Sequence, residues 1–269
     1  MFTVSLSNRS SVHILLTNDD GVAAPGLLAM EEQLLPFGDL VVIAPQQECS
    51  GVSHSITYLR PLTCEVSPRP SGESGWAVDG MPADCVKLGI DQLCTHLPEL
   101  VVSGINSGLN AGINIIYSGT VAAAREAFFY GISSVAVSLE ASREMDYRAA
   151  AELVFPMIRG ILAHQQQPGF YNINIPTRAL QEFQGLRVLP MSLARYGDNY
   201  IKREDPKGRP YYWSTDSPPP SRSDPPTDVD LLEQGLVTIT PLLFDATDHQ
   251  LLRQMQDWDW EQGPAERTS

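Results

Sequence analysis

The chain has 269 residues, a hydrophobic content of 43% and a formal net charge of −14 at pH 7. This length and this apolar content predict one large α/β domain, or one such domain with a smaller appendage. The acidic balance argues against a duplex nucleic acid partner, which needs a basic surface. It does not argue against a small anionic substrate that a metal ion and backbone amides would hold.

Targeting signals are not visible in the sequence. No run of about 18 apolar residues occurs, so we expect no membrane span, and the N-terminus lacks the basic and apolar regions of a secretory signal. The cysteines form no CxxC pair and no zinc spacing, and we interpret them as free thiols of a cytoplasmic protein. They are Cys49, Cys64, Cys85 and Cys94.

The first apolar run, Val12–Thr17, predicts a buried strand, and Gly21 with Pro25 ends it. Asp19 and Asp20 therefore follow the carboxyl end of the first strand, which is where open α/β sheets bind their ligands. Two adjacent carboxylates stay ionised most easily when a cation lies beside them. From this segment alone, an ordinary solvated turn explains the pair as well as a metal site does.

Strand and helix patterns alternate through the first two thirds of the chain, which predicts a doubly wound parallel sheet. Further strands are predicted at residues 40–44, 100–102, 134–138 and 170–176. Helices are predicted at residues 26–30, 83–90, 118–130 and 147–164.

The pattern changes after about residue 180. Extended segments at 185–190 and 211–213, a proline-rich loop at 217–226 and a strand at 235–241 replace the alternation. The residues from Trp258 onward are expected to be weakly structured. We therefore predict a catalytic domain at 1–180 and a C-terminal region at 181–269.

Three other segments rich in Gly, Ser and Asn follow predicted strands or begin a helix. They lie at residues 49–55, 103–108 and 117–120. Each segment alone is typical of an ordinary loop. All three can nevertheless gather with the aspartate pair along one edge of a parallel sheet, because the carboxyl ends of such strands meet there.

Oxygen-bearing side chains of this kind suit phosphoryl transfer to water. A hard divalent cation takes carboxylate, amide and hydroxyl oxygens, and it would lower the pKa of a bound water molecule. The residues that offer such oxygens are Asp19, Asp20, Asn106 and Ser50.

The helix predicted at 118–130 offers a phosphate-binding element. Free N–H groups at the start of a helix hold phosphate oxygens without a lysine, and the hydroxyls of Ser118 and Thr120 can add hydrogen bonds. His54 lies inside one of the candidate loops. An acid/base role and a hydrogen bond within its own loop remain open as alternatives.

Other phosphate and hydrolase chemistries lack their motifs. The sequence contains no GxxxxGK[ST] phosphate loop, no GxSxG nucleophile elbow and no GxGxxG after the first strand. Residues 104–108 have the glycine spacing of a nucleophile elbow, but Asn106 stands at the nucleophile position. These absences disfavour a Walker-type NTPase, a serine hydrolase and a dinucleotide fold of the usual kind.

Five blocks of the sequence together resemble the SurE (survival protein E) 5′-nucleotidase family. They lie at residues 14–21, 50–57, 78–86, 101–106 and 117–124, and the resemblance extends to 205–213 and 227–230. It implies an α/β fold with a Rossmann-like, doubly wound and mostly parallel sheet and a smaller C-terminal extension for oligomer contacts. It also implies a divalent-metal-dependent phosphatase that acts on nucleoside monophosphates.

The resemblance places the family's functional residues on positions of this chain. We expect one divalent ion per subunit, Mg²⁺ or Mn²⁺, on Asp19, Asp20, Ser50 and Asn106. The phosphate side falls on Ser118, Gly119 and Thr120, with Gly51 as a further candidate. The candidate catalytic residues are Asp19, Asp20, Asn18 and His54.

We therefore expect a phosphomonoesterase that acts on nucleoside 5′-monophosphates, with 3′-monophosphates and short polyphosphate left open as substrates. The alternative is a regulatory protein that binds a metal and a nucleotide without turnover, and a sugar-nucleotide transferase is weaker still. The expected partners are the substrate and further copies of the chain, as a homodimer or homotetramer. Residues 202–213 are assigned to assembly, because the aromatic cluster at 211–213 would expose apolar surface on a monomer; the alternative is a hairpin folded back on its own domain.

Overall fold

The first strand lies near the middle of the sheet that organises the molecule. A computed structural model describes residues 12–70, 72, 74–194, 197–217, 223–258 and 260. Val12–Thr17 forms strand β1, as predicted, and pairs in parallel with one strand on each side. An apolar run suits this place because a central parallel strand is covered on both faces.

The structure bounds the helices and strands as follows. The strands are β1 (Val12–Thr17), β2 (Gly38–Pro45), β3 (Cys64–Pro68), β4 (Ser74–Val78), β5 (Leu100–Ser107), β6 (Ser133–Leu139), β7 (Phe170–Ile175), β8 (Leu186–Val188), β9 (Gly197–Glu204), β10 (Pro210–Ser217) and β11 (Val237–Leu242). The α-helices are α1 (Pro25–Leu34), α2 (Pro82–Leu88), α3 (Asn114–Tyr117), α4 (Gly119–Phe129), α5 (Tyr147–His164), α6 (Thr177–Gln181), α7 (Asp228–Leu232) and α8 (His249–Gln256).

Within the described residues, nine strands form one sheet in the order β3-β4-β2-β1-β5-β6-β7-β11-β8. The six consecutive strands β4, β2, β1, β5, β6 and β7 run parallel. Strand β3 pairs antiparallel with β4, and β11 pairs antiparallel with β7 but parallel with β8. The chain moves from β1 to β2 on one side and later returns to β5 on the other side. The sheet therefore has its topological switch point between β1 and β5, where such folds bind ligands.

The core lies on both faces of this sheet. Ile14 and Leu16 pack with apolar residues of α1 and α5 on one face, whereas Leu15 packs with residues of α2 and α4 on the other. This alternation follows from the two-residue period of a strand. Each of these side chains is almost completely buried and contributes roughly 1.5–3 kcal/mol relative to an exposed position.

The helix over Gly119–Phe129 shows how local sequence signals set the boundaries. Its predicted cap is confirmed, because the Ser118 hydroxyl accepts a hydrogen bond from the Val121 N–H at 3.1 Å. Gly131 follows the helix with a φ of 71°, which is a left-handed conformation that glycine adopts without strain. Helix α5 also spans the predicted residues and carries Pro156 in its interior.

The C-terminal region is divided between two structures. Strands β8 and β11 join the large sheet, whereas β9 and β10 form a two-stranded antiparallel hairpin of their own. The boundary at residue 180 stays a prediction, and the expectation of weak structure after Trp258 falls largely outside the described residues. Among the described helices, none combines the length and the apolar character that spanning a bilayer requires.

Candidate metal and phosphate site

The turn that carries the two aspartates at the end of β1 is held by hydrogen bonds. The Asn18 amide donates to the Gly21 carbonyl at 2.9 Å and accepts from the Gly21 N–H at 3.2 Å. Gly21 has a φ of 103°, so the turn requires glycine there. Asn18 is fully buried and holds the turn; its catalytic role stays a prediction.

Both carboxylates are fixed by residues distant in the sequence. One Asp19 oxygen accepts a hydrogen bond from the Thr120 hydroxyl at 2.6 Å, and one Asp20 oxygen accepts from the Ser107 N–H at 3.2 Å. Asp19 is only 3% exposed. A carboxylate has about four lone-pair sites, so each group keeps lone pairs for a cation.

The electrostatics of the pair favour a bound cation. Burial raises the pKa of Asp19 above its ordinary value, although hydrogen bonds from Thr120 oppose the rise. Burial and the neighbouring Asp19 charge raise the pKa of Asp20 to about 6. A divalent ion beside both groups would stabilise their charged forms and reverse these shifts.

Asn106 and Ser50 extend the set of oxygen donors. The Asn106 amide nitrogen donates to the Gly108 carbonyl at 2.7 Å, which leaves the amide oxygen as the atom that can coordinate a metal. The Cys49 N–H donates to the Asp19 carbonyl at 2.7 Å, so the loop that carries Ser50 lies against the β1 turn. Ser50 itself is exposed, and its hydroxyl donates to Glu48 at 2.7 Å.

This donor chemistry fits a hard divalent ion. Carboxylate, amide and hydroxyl oxygens are the ligands that Mg²⁺ and Mn²⁺ prefer. The described residues contain no group of three or more His, Cys, Asp and Glu side chains that could hold a metal. The aspartate pair with neutral oxygens beside it is therefore the candidate metal site, and its ligand assignment stays a prediction.

The predicted phosphate element directly adjoins the aspartates. A Cβ atom at Gly119 would lie 2.9 Å from both the Cβ and the Oδ2 atom of Asp19, so the start of α4 touches the carboxylate. The positive end of the helix dipole also lies there, as anion binding requires. Gly51 occupies an exposed left-handed turn with a φ of 70°, and its contact with phosphate stays a prediction.

His54 connects the loop of Ser50 to helix α4. Its Nε2 atom lies 2.7 Å from Glu126, and its ring stacks on Phe129 with 5.4 Å between ring centroids. Lys87 lies 3.4 Å from the other oxygen of Glu126. His54 therefore contacts α4 rather than only its own loop, and an acid/base role for it stays a prediction.

Comparisons with known proteins identify the family. The model of the family described as "Survival protein SurE" matches residues 14–198. The chain belongs to the SurE family. The match includes every candidate site residue and most of the parallel part of the sheet, and the family implies a divalent metal cofactor.

Relatives from several organisms carry the same name. The chain is 50% identical over 250 residues to a protein named 5′-nucleotidase SurE from Rhodopirellula baltica. The aligned region covers 92% of this chain and 99% of the relative. It is 43% identical to a protein of that name from Desulfovibrio desulfuricans, over 89% of this chain and 95% of the relative. The crystal structure of the SurE protein from Aquifex aeolicus matches with a TM-score of 0.78 and 33% identity, over 91% of this chain and 98% of that chain.

Several polar residues around the site were missed at the level of sequence. Asn110 contacts both the Thr120 hydroxyl and two buried asparagines, Asn172 and Asn174. A weak signal existed, because these two asparagines alternate within an otherwise apolar strand, Phe170–Ile175. Buried amides need partners, and their pattern alone does not name those partners.

Proposed function

We propose that the chain is a divalent-metal-dependent 5′-nucleotidase that hydrolyses nucleoside 5′-monophosphates to nucleoside and phosphate. The observation that carries this proposal is the contact between the Asp19 carboxylate and the start of α4 at Gly119. It brings a candidate metal ligand and a phosphate-binding helix end together at the switch point of the sheet. The names of the SurE relatives support the same activity.

The residues that would hold the metal are the oxygen donors described above. Asp19 and Asp20 would supply charged ligands, and Asn106 and Ser50 would supply neutral ones, for one Mg²⁺ or Mn²⁺ ion per subunit. A bound ion of this kind supplies Lewis-acid chemistry, because it draws charge from the phosphoryl group and lowers the pKa of coordinated water. Neutral ligands limit the negative charge that an anionic substrate meets.

The start of α4 would orient the phosphate. The Ser118 oxygen accepts from the Val121 N–H, so the Ser118 hydroxyl proton is free to donate to a phosphate oxygen. Gly119 has no side chain, so phosphate and carboxylate can both approach its backbone. These groups would hold the phosphate without a lysine.

A phosphate-release assay tests the proposal. Nucleoside 5′- and 3′-monophosphates and short polyphosphate would each be incubated with the full chain in Mg²⁺, in Mn²⁺ and in chelator. We expect metal-dependent release from 5′-monophosphates. Tight nucleotide binding with no release under any metal would instead support the regulatory alternative, which nothing in the structure favours.

We also propose that the protein is a cytoplasmic homodimer or homotetramer. The described cysteines are free thiols, which supports a reducing compartment. Tyr212 and Trp213 are 60% and 61% exposed on the β9–β10 hairpin, and this hairpin stands apart from the large sheet. Their exposure supports a role in assembly over a hairpin folded back on its own domain.

A further inference from the structure

The hydroxyl of Thr120 is committed to Asp19. Its oxygen lies 2.6 Å from the Asp19 Oδ1 atom, and the two residues are 0% and 3% exposed. The backbone N–H of Thr120 also stabilises the charged form of this carboxylate. A hydroxyl has one proton to donate, so Thr120 cannot direct the same proton to a phosphate oxygen.

A buried amide favours this direction of donation. The Asn110 side-chain nitrogen lies 3.5 Å from the Thr120 oxygen and 2.9 Å from the Ser138 oxygen. An amide N–H can only donate. The Thr120 oxygen is therefore the acceptor toward Asn110, and its own proton is left for Asp19.

Asn110 is held by two residues of strand β7. Its backbone N–H donates to the Asn174 side chain at 2.8 Å, and its carbonyl accepts from Asn172 at 2.7 Å and from Asn174 at 3.1 Å. We call these three residues the asparagine clasp. Asn172 and Asn174 are fully buried and lie two positions apart on β7, so they share one face of the sheet.

The same loop also orients the Asn106 amide. The Gly108 carbonyl accepts from the Asn106 side chain at 2.7 Å, and the Gly108 N–H donates to the Leu139 carbonyl at 2.8 Å. Gly108 and Asn110 are two residues apart. The clasp therefore fixes a short loop that is linked to two candidate metal ligands. Gly108 of this loop binds the Asn106 amide directly, and Asn110 contacts Thr120, which in turn donates to Asp19.

We propose that Thr120 and Asn110 are positioning residues for the metal ion, and that the Thr120 hydroxyl orients Asp19 instead of binding phosphate. This inference rests on the proposed function, because it takes Asp19 as a metal ligand. Phosphate binding is then left to Ser118 and to the backbone at Gly119. Groups that orient metal ligands typically change metal affinity by 10- to 100-fold when they are removed.

Two substitutions at Thr120 test the inference. Thr120→Val keeps the shape and removes the hydroxyl, whereas Thr120→Ser keeps the hydroxyl. Calorimetric titration of the metal-free full chain with Mn²⁺ should show a dissociation constant at least about tenfold higher for Thr120→Val and within about threefold for Thr120→Ser. The inhibition constant of inorganic phosphate, measured at saturating Mn²⁺, should change little in either variant.

A control is available in β6. Ser134 is also fully buried, and its hydroxyl has no hydrogen-bond partner among the described residues. Ser134→Ala therefore removes a buried hydroxyl at the end of β6 opposite to Ser138 and the clasp, and it should leave the affinity for Mn²⁺ unchanged. A Mn²⁺ loss of equal size in this control would overturn the inference.

Three outcomes separate the remaining cases. Unchanged Mn²⁺ affinity with weaker phosphate inhibition in Thr120→Val would make Thr120 a phosphate ligand and overturn the inference. If Thr120→Val does not fold, Asn110→Ala takes its place, and unchanged Mn²⁺ affinity in that variant would have the same effect. Asp19→Asn separates a failure of the metal site from a failure of the positioning role. If this variant also binds Mn²⁺ normally, the proposed metal site is wrong. If only Asp19→Asn loses affinity for Mn²⁺, the positioning role alone is contradicted.

Discussion

The carboxyl edge of the large sheet buries its polar side chains, whereas the β9–β10 hairpin exposes aromatic side chains. At the edge, polar groups are buried and bond to each other, as Asp19 does with Thr120. On the hairpin, Tyr212 and Trp213 leave more than half of their surface exposed. The hydrogen bonds described at the edge all lie within one chain, whereas the hairpin leaves apolar area for a partner to cover. We infer that chemistry belongs to the edge and assembly to the hairpin.

The largest expected effect comes from the edge. Asp19→Asn keeps the shape of the side chain but removes one charged ligand, and it should lower kcat/KM for a nucleoside 5′-monophosphate at least about a hundredfold. The assay is initial-rate phosphate release at subsaturating metal. Activity within a few-fold of the parent would show that Asp19 is not a ligand of the catalytic metal.

A second change tests the close approach of α4 to Asp19. Gly119→Ala introduces a Cβ atom 2.9 Å from Asp19, so the carboxylate or the helix start must shift. A displacement of this kind near reacting groups costs up to about a hundredfold, and we expect kcat/KM to fall about ten- to a hundredfold. Gly160→Ala is the control, because a Cβ atom there meets open space in α5. Equal activities of the two variants would contradict the described contact.

Much of the edge was predictable from the sequence, because its signals are local. Apolar runs predicted β1, β2, β5, β6 and β7, and the Ser118 cap predicted the start of α4. Strands β3 and β4 at one side of the sheet were missed, because five-residue strands that mix polar and apolar residues lack a clear period. The π-helical turn over Gly89–Leu93 was missed as well, since a helical period does not distinguish it from an α-helix.

The candidate site was predictable as a set of oxygen donors but not as a network. Asp19, Asp20 and the start of α4 follow predicted strands and caps, so the topology of the sheet brings them together. The partner of the Thr120 hydroxyl depends on atoms about 100 positions away in the chain. The contact of His54 with Glu126 joins residues 72 positions apart, so no local sequence pattern indicates it.

Asn106→Asp tests whether Asn106 is a neutral ligand of the metal ion. An added charge should tighten Mn²⁺ binding but repel the phosphate, and we expect KM to rise about three- to tenfold. Calorimetry with Mn²⁺ and steady-state kinetics measure the two effects separately. If both constants stay at their parent values, Asn106 is a loop residue rather than a metal ligand.

The hairpin should give the opposite result to the edge. Deletion of residues 203–212 together with Trp213→Ser removes the exposed aromatic patch, so the assembly should contain fewer copies of the chain. The affinity of the metal site for Mn²⁺ should stay within about threefold of the parent, because the described contacts of Asp19, Asp20 and Asn106 do not involve the hairpin. Light scattering that gives both proteins the same number of copies per assembly would contradict the assignment.

The smallest expected effect concerns the stability of the contact between α4 and its neighbours. Burial alone would raise the pKa of Glu126, but the hydrogen bond from His54 and the Lys87 charge hold this pKa below its ordinary value of 4.5. A lowered carboxyl pKa stabilises the fold above the unfolded-state pKa and loses that contribution as the pH falls through the folded-state pKa.

Glu126→Gln should therefore lower the free energy of unfolding by about 1 kcal/mol at pH 7, and the difference should shrink as the pH falls below about 4.5. Urea unfolding at several pH values measures this dependence. Glu32→Gln on α1 is the control, since Glu32 is exposed and its loss should change little at any pH. A Glu126→Gln difference that is constant with pH would contradict the charged contact.

We infer that the carboxyl edge of the sheet forms one metal site, at which nucleoside 5′-monophosphates are hydrolysed. The most direct test titrates the metal-free full chain with Mn²⁺ and records, in the same sample, the bound metal and the phosphate released from a nucleoside 5′-monophosphate. We expect no phosphate release in chelator, and a rate of release that rises with metal occupancy until one ion is bound per chain. Full release from protein that elemental analysis shows to be free of metal would contradict this inference.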